Sequence, residues 1–160
     1  GPARDALTRQ RDGLGLTARV ELAGEMRHET LPAAYHSADV YVQSSLHEAQ
    51  GMAVLEAAAC GVPIVGTKVG ALADLAPDAA LSVPVGDASA LAAAMLSLLR
   101  DPARSESMGA AARARVEANY TLVPRVERFV QLYQAVCGKG MRGDYTHSVS
   151  GVKDHVSGVT

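Results

Sequence analysis

Ser44-Ser45-Leu46-His47-Glu48-Ala49-Gln50-Gly51-Met52-Ala53-Val54-Leu55-Glu56-Ala57-Ala58-Ala59-Cys60-Gly61-Val62-Pro63 reads as a loop, a short helix and a stop. The helix is expected from Met52 to Cys60, where almost every side chain is small or apolar. Gly61 stands where a left-handed C-cap is wanted, and Pro63 forbids continuation. Glu56 breaks the pattern. A helix that is apolar all round should be buried, and a buried carboxylate is costly unless something hydrogen-bonds to it. Glu56 is therefore a surface residue, the partner of a core arginine, or a ligand contact, and the last reading is preferred.

Outward from that stretch, strands and helices alternate. A charged helix is expected over Arg4–Leu14, and a strand over Arg19–Gly24 with alternating polar and apolar residues. A short helix follows over Thr30–Ser37, with Pro32 in its first turn, and then a strand over Asp39–Gln43. After the central helix come a buried strand, Val62–Gly66, and a glycine-punctuated loop, Thr67–Ala71. Ala80–Val85 reads as an edge strand because of Pro84. Three helices close the run: Ala88–Leu99 capped by Asp87, Ala103–Asn119, and an amphipathic Val123–Val136. Residues 1–137 read as one domain and 138–160 as a flexible tail of Gly, Ser, Val, Lys and His. Arg142-Gly143-Asp144 in that tail is given no adhesive meaning. The alternation implies an α/β fold with a doubly wound, Rossmann-like parallel sheet, whose ligands bind beyond the carboxyl ends of the strands.

Composition narrows the partners. The 160 residues carry a net charge of −2 with scattered Lys and Arg, so the basic footprint of a nucleic-acid binder is missing. Cys60 and Cys137 lie far apart without metal-type spacing, which argues against a disulfide scaffold or zinc and for the cytoplasm. The opening residues do not read as a signal peptide, and apolar runs are too short for a membrane span. Trp is absent and Phe occurs once, leaving little material for stacking sugars on aromatic faces.

The chemistry of the rim is more specific. Gly51, Met52 and Ala53 should present unpaired N–H groups at a helix N-terminus, which binds phosphate without a basic side chain. Glu48 ahead of the turn and Glu56 within the helix flank it with acceptors. A sugar–diphosphate–nucleoside, with hydroxyls at both ends and phosphates between, has the matching layout. Gly66 and Gly70 are expected to add backbone donors. His47 and Lys68 read as exposed loop residues, and Cys60 as the filler of a small slot.

Together, Ser45, Glu48-Ala49-Gln50-Gly51, Glu56-Ala57, Gly61-Val62-Pro63 and Gly70-Ala71-Leu72-Ala73-Asp74 resemble the donor-site signature of retaining glycosyltransferases of family four, which have the GT-B fold. Glu48 and Glu56 match that family's Glu-x7-Glu motif, and the resemblance runs over about residues 1 to 136. It implies the C-terminal, nucleotide-sugar half of such an enzyme, incomplete at its N-terminal side. It assigns Glu48 to the transferred sugar, the backbone of Gly51, Met52 and Ala53 to sugar hydroxyls and diphosphate, and Glu56 to the ribose. It implies a UDP-, GDP- or ADP-sugar donor, no cofactor and no metal. It also implies an acceptor domain and two further sheet strands upstream, with any peripheral membrane association running through that acceptor domain. The chain alone is then expected to be inactive. Gln50, Ala71 and Asp74 depart from the family's aromatic, second glycine and glutamate, which bears on sugar identity. The other readings are a non-catalytic module that binds nucleotide sugar or a protein, and a nucleotide-sugar 2-epimerase. The base, the sugar, the acceptor and the oligomeric state are not encoded in these motifs.

Overall fold

The computed structural model describes residues 2–137, so the expected tail from Gly138 lies outside the described residues. The described chain falls into two compact units, one up to Ala34 and one from Tyr35 onward.

In the first unit, α1 (Arg4–Gly13) forms as expected. The strand expected over Arg19–Gly24 does not form. A strand exists only when a neighbour takes up its backbone groups, and none of the described strands pairs with this segment. Its groups are used locally instead. Arg19 and Val20 donate to the Leu16 carbonyl, and the Arg4 guanidinium donates to the Leu22 carbonyl at 3.1 Å. A 3-10 turn, His28–Thr30, leads into α2 (Leu31–His36), which crosses the boundary between the units.

The second unit is built on a parallel sheet of β1 (Tyr41–Gln43), β2 (Ile64–Thr67) and β3 (Leu81–Val83), in that order. Val42 lies opposite Val65, and Gly66 opposite both Gln43 and Ser82. Adjacent residues of β2 serve opposite faces, as the strand period requires. Ile64 joins Val54, Leu55, Leu72, Leu75 and Ala112 in one cluster, whereas Val65 joins Leu98 and Met108 in another. The first cluster seats α3 (Met52–Ala59), α4 (Gly70–Leu75) and α6 (Pro102–Asn119); the second seats α5 (Ala88–Leu99). Helices thus cover both faces, and the α/β, doubly wound expectation holds.

The ends of α3 explain its length. Gly51 starts it in a left-handed conformation, φ 81°. At the other end Gly61 donates to Ala58 and Val62 to Ala57, the two bonds of a Schellman close. Asp87 and Asp101 cap α5 and α6 by accepting from the amides of Ala90 and Arg104. α6 packs so closely on the turn after α3 that a Cβ at Gly109 would strike the Gly61 carbonyl oxygen.

α4 occupies ground that reads as loop in the sequence. Gly70 is a poor helix former, and Pro77 follows shortly. Burial of Ala71, Leu72 and Leu75 holds the helix in place. The last helix, α7 (Leu122–Cys137), forms where expected but buries none of its residues. Phe129 is 57 % exposed and Tyr133 65 % exposed, so its apolar stripe has no covering among the described residues. No helix among the described residues is long and apolar enough to cross a membrane.

Candidate donor site

All three strands are parallel, so the segments leaving Gln43, Thr67 and Val83 emerge on one rim of the sheet. The loop after β1 is pinned there twice. The Thr67 hydroxyl donates to the Ser45 carbonyl at 2.6 Å, and the Ala71 amide donates to the Gln50 carbonyl at 2.7 Å. Gly70, φ 54°, lets the start of α4 close on this loop, since a Cβ there would lie 2.8 Å from that of Glu48.

Glu48 is half-buried and held by one oxygen. Its Oε1 accepts from Gln43 Nε2 at 2.9 Å and from the Ser45 hydroxyl at 2.8 Å. Gln43 Nε2 also reaches Ser45 Oγ at 3.2 Å, and Gln43 Oε1 accepts from the Tyr41 hydroxyl at 3.4 Å. Oε2 of Glu48 has no partner among the described residues. Glu48 lines an open cleft of about 400 Å³ together with Ala49, Gln50, Gly70, Ala71, Asp74 and Tyr120. On its far wall the Tyr120 hydroxyl donates to Asp74 at 3.3 Å.

Glu56 is placed differently from the sequence expectation. α3 buries Val54, Leu55, Ala57 and Ala58 but leaves Met52 and Ala53 exposed and Glu56 half-buried. The helix is therefore apolar in composition yet one-sided in burial, because alanine is small enough to sit at a surface without cost. Glu56 lies one turn along from Met52 and Ala53 on the same open side. No arginine among the described residues holds it. Its Oε2 accepts from the Tyr35 hydroxyl at 3.0 Å, and Oε1 has no partner among the described residues. Burial and then this bond push the Tyr35 phenol up to about 12. The Tyr35 ring meets Tyr41 edge-on at 5.9 Å. Burial raises the Tyr41 phenol as well, helped by the charges of Glu48 and Glu56. Two tyrosines in edge-on contact thus link the surroundings of the two carboxylates, Tyr35 by its bond to Glu56 and Tyr41 by its bond to Gln43.

The amides of Met52 and Ala53 open α3, where no side chain caps the helix. The first amides of a helix have no intrahelical acceptor, so these are free to meet an anion. Gly51 is buried beneath them. Gly66, by contrast, lies within β2 and offers no open donor; its missing Cβ makes room for the Gln43 carbonyl and for Leu72 Cδ1. His47 and Lys68 are exposed, and Cys60 is half-exposed rather than filling a slot. Sequence reading passed over Tyr35, Gln43 and Tyr120 as site residues. Gln43 carried a usable signal, a polar side chain at the inner end of a strand of valine and tyrosine. Tyr35 and Tyr120 carried none, being brought in by tertiary packing. Among the described residues no group of three His, Cys, Asp or Glu side chains could hold a metal ion.

This fold is that of one part of GT-B glycosyltransferases. The structure superposes on sucrose-phosphate synthase from Thermosynechococcus elongatus with a TM-score of 0.76 at 33% identity, covering 85% of this chain and 35% of that one. It superposes on Anabaena HepE, solved in complex with UDP, with a TM-score of 0.75 at 22% identity, covering 84% and 38%. The chain belongs to the glycosyl transferases group 1 family, which matches residues 1–115. It is 32% identical over 145 residues to the 2-deoxystreptamine N-acetyl-D-glucosaminyltransferase of Streptomyces fradiae, covering 89% of this chain and 34% of that protein. It is 31% identical over 143 residues to a GDP-mannose-dependent phosphatidylinositol monomannoside mannosyltransferase of Corynebacterium glutamicum, covering 84% and 38%. The chain spans about a third of the length of these relatives.

Proposed function

We propose that this chain binds the nucleotide-sugar donor of a retaining glycosyltransferase at the rim formed by the loop after β1 and the start of α3. One observation carries the reading: the free amides of Met52 and Ala53 share an open helix side with Glu56, while Glu48 stands just ahead with one oxygen unspent. The diphosphate sits against the helix N-terminus, whose partial positive charge favours it. Glu56 Oε1 accepts from the ribose hydroxyls. Glu48 Oε2 faces the sugar and stabilises the positive charge that grows at the anomeric carbon as its bond to phosphate breaks. The acceptor oxygen bonds to that carbon on the face the phosphate leaves, and its proton passes to the departing phosphate oxygen. Glu48 and Glu56 are not an acid–base pair of the glycoside hydrolase kind.

The donor is a UDP-, GDP- or ADP-sugar, and no metal or other cofactor is needed, because the helix amides supply the countercharge. The partner is an acceptor-binding domain, and the setting is the cytoplasm. The described residues contribute donor-site groups only, which favours as a second reading a module that binds nucleotide sugar without transferring it.

Calorimetric titration with UDP, GDP and ADP tests the reading. One of the three should bind, and Glu56→Ala should weaken it by about tenfold or more, the loss of a charge-assisted hydrogen bond. An affinity unmoved by that substitution removes the ribose role.

A further inference from the structure

We propose that Gln43 is a positioning residue for the donor sugar, acting through Glu48 and leaving the nucleotide grip untouched; this rests on the donor-site reading above. Gln43 is only 8% exposed, one of two buried polar residues among those described. It ends β1, whose backbone is tied to β2, so its side chain springs from a fixed point. Both of its N–H groups are engaged, one by Ser45 Oγ at 3.2 Å and one by Glu48 Oε1 at 2.9 Å. Its carbonyl oxygen accepts from Tyr41.

A carboxylate on a surface loop has several rotamers of similar energy. Here Gln43 and Ser45 converge on the same oxygen of Glu48, which selects one rotamer and leaves Oε2 turned away from the protein's own donors. Thr67 holds the Ser45 carbonyl, so the second donor is fixed as well. Gly70 also approaches Glu48 closely, since a Cβ there would lie 2.8 Å from the Glu48 Cβ. A buried amide must have its polar atoms hydrogen-bonded, and here meeting that need fixes its orientation against Ser45, Glu48 and Tyr41. It bonds Glu48 directly, whereas Glu56 is reached only at second hand through the Tyr41 and Tyr35 rings, so its effect belongs first to the sugar end of the ligand.

The probes are UDP with UDP-glucose and GDP with GDP-mannose, using whichever pair the wild-type chain binds. Gln43→Met keeps the side chain's length and removes its hydrogen bonds. It should leave the free nucleotide's affinity within about twofold and weaken the nucleotide sugar about tenfold. Glu48→Gln should show the same sugar-selective loss, and the double variant no further loss. A sugar-selective loss in Glu48→Gln without one in Gln43→Met overturns the Gln43 role and leaves the donor site standing. Equal losses for nucleotide and nucleotide sugar in Gln43→Met mean a merely structural role and also overturn it. A wild type that binds neither of these pairs nor ADP with ADP-glucose overturns the donor-site reading itself. Should Gln43→Met fail to fold, the side-chain amide signals of Gln43 in the folded Glu48→Ala variant decide. A clear shift upholds the contact, and unmoved signals overturn it.

Discussion

Glu56 and Tyr35 show what a single side chain can and cannot reveal before the fold is known. Glu56 stood out as a charge among alanines, yet the structure puts it on the open side of α3, so burial is not what makes it notable. Its partner is a phenol 21 residues away, a pairing that no spacing within the helix announces. The bond has a measurable signature. The Tyr35 phenol is pushed up from 10 to about 12, with burial as the larger cause and Glu56 as the next. Because the folded state holds the proton more tightly than the unfolded chain, this group's contribution is complete below pH 10 and is lost as pH rises from 10 to 12. In Glu56→Gln the phenol should titrate at lower pH than in the wild type, read from phenolate absorbance or the ring carbon shift. A midpoint that does not move would mean that the two groups do not meet in solution. Glu48 differs, since the Ser45 bond joins residues three apart and lies within reach of sequence reading. The Gln43 bond needed the strand end to be placed first.

Among the elements, the helices with clear punctuation were legible. Asp87, Asp101-Pro102 and Gly61 mark the ends of α5, α6 and α3, and each does locally what its residue type requires. Asp87→Ala and Asp101→Ala should each lower stability by about 1 kcal/mol, seen as a lower urea midpoint, with nucleotide affinity unchanged. α4 was illegible because glycine and a nearby proline argue for loop, although Ala71, Leu72 and Leu75 have helical spacing. The segment Arg19–Gly24 erred the other way. Alternation is a property of the side chains, but a strand also needs a paired neighbour, and pairing is not written in a segment's own residues. Packing distances between elements are equally hidden. A methyl at Gly109 meets the Gly61 carbonyl oxygen, so Gly109→Ala should lose about 1–3 kcal/mol as α6 backs away from α3. A wild-type denaturation midpoint in that variant would contradict the close approach.

For the whole molecule, the fold class followed from alternation alone, while the family came from a constellation scattered over the loop after β1, α3 and its closing turn, and α4. Under the proposed reading, the carboxylates, the helix amides and the cleft of about 400 Å³ form the donor side of a transfer reaction. Incubated with UDP- or GDP-sugars and simple sugar or lipid acceptors, the 160-residue chain should bind donor yet transfer no measurable sugar. Rapid product formation would show that the described cleft serves both substrates. The most direct test of the donor site is a map of backbone amide shifts in the labelled chain as UDP or GDP is added. The largest movements should fall on Gly51, Met52, Ala53 and Glu56. Movements confined to the opposite end of the sheet, or to α7, would contradict a nucleotide site at the start of α3.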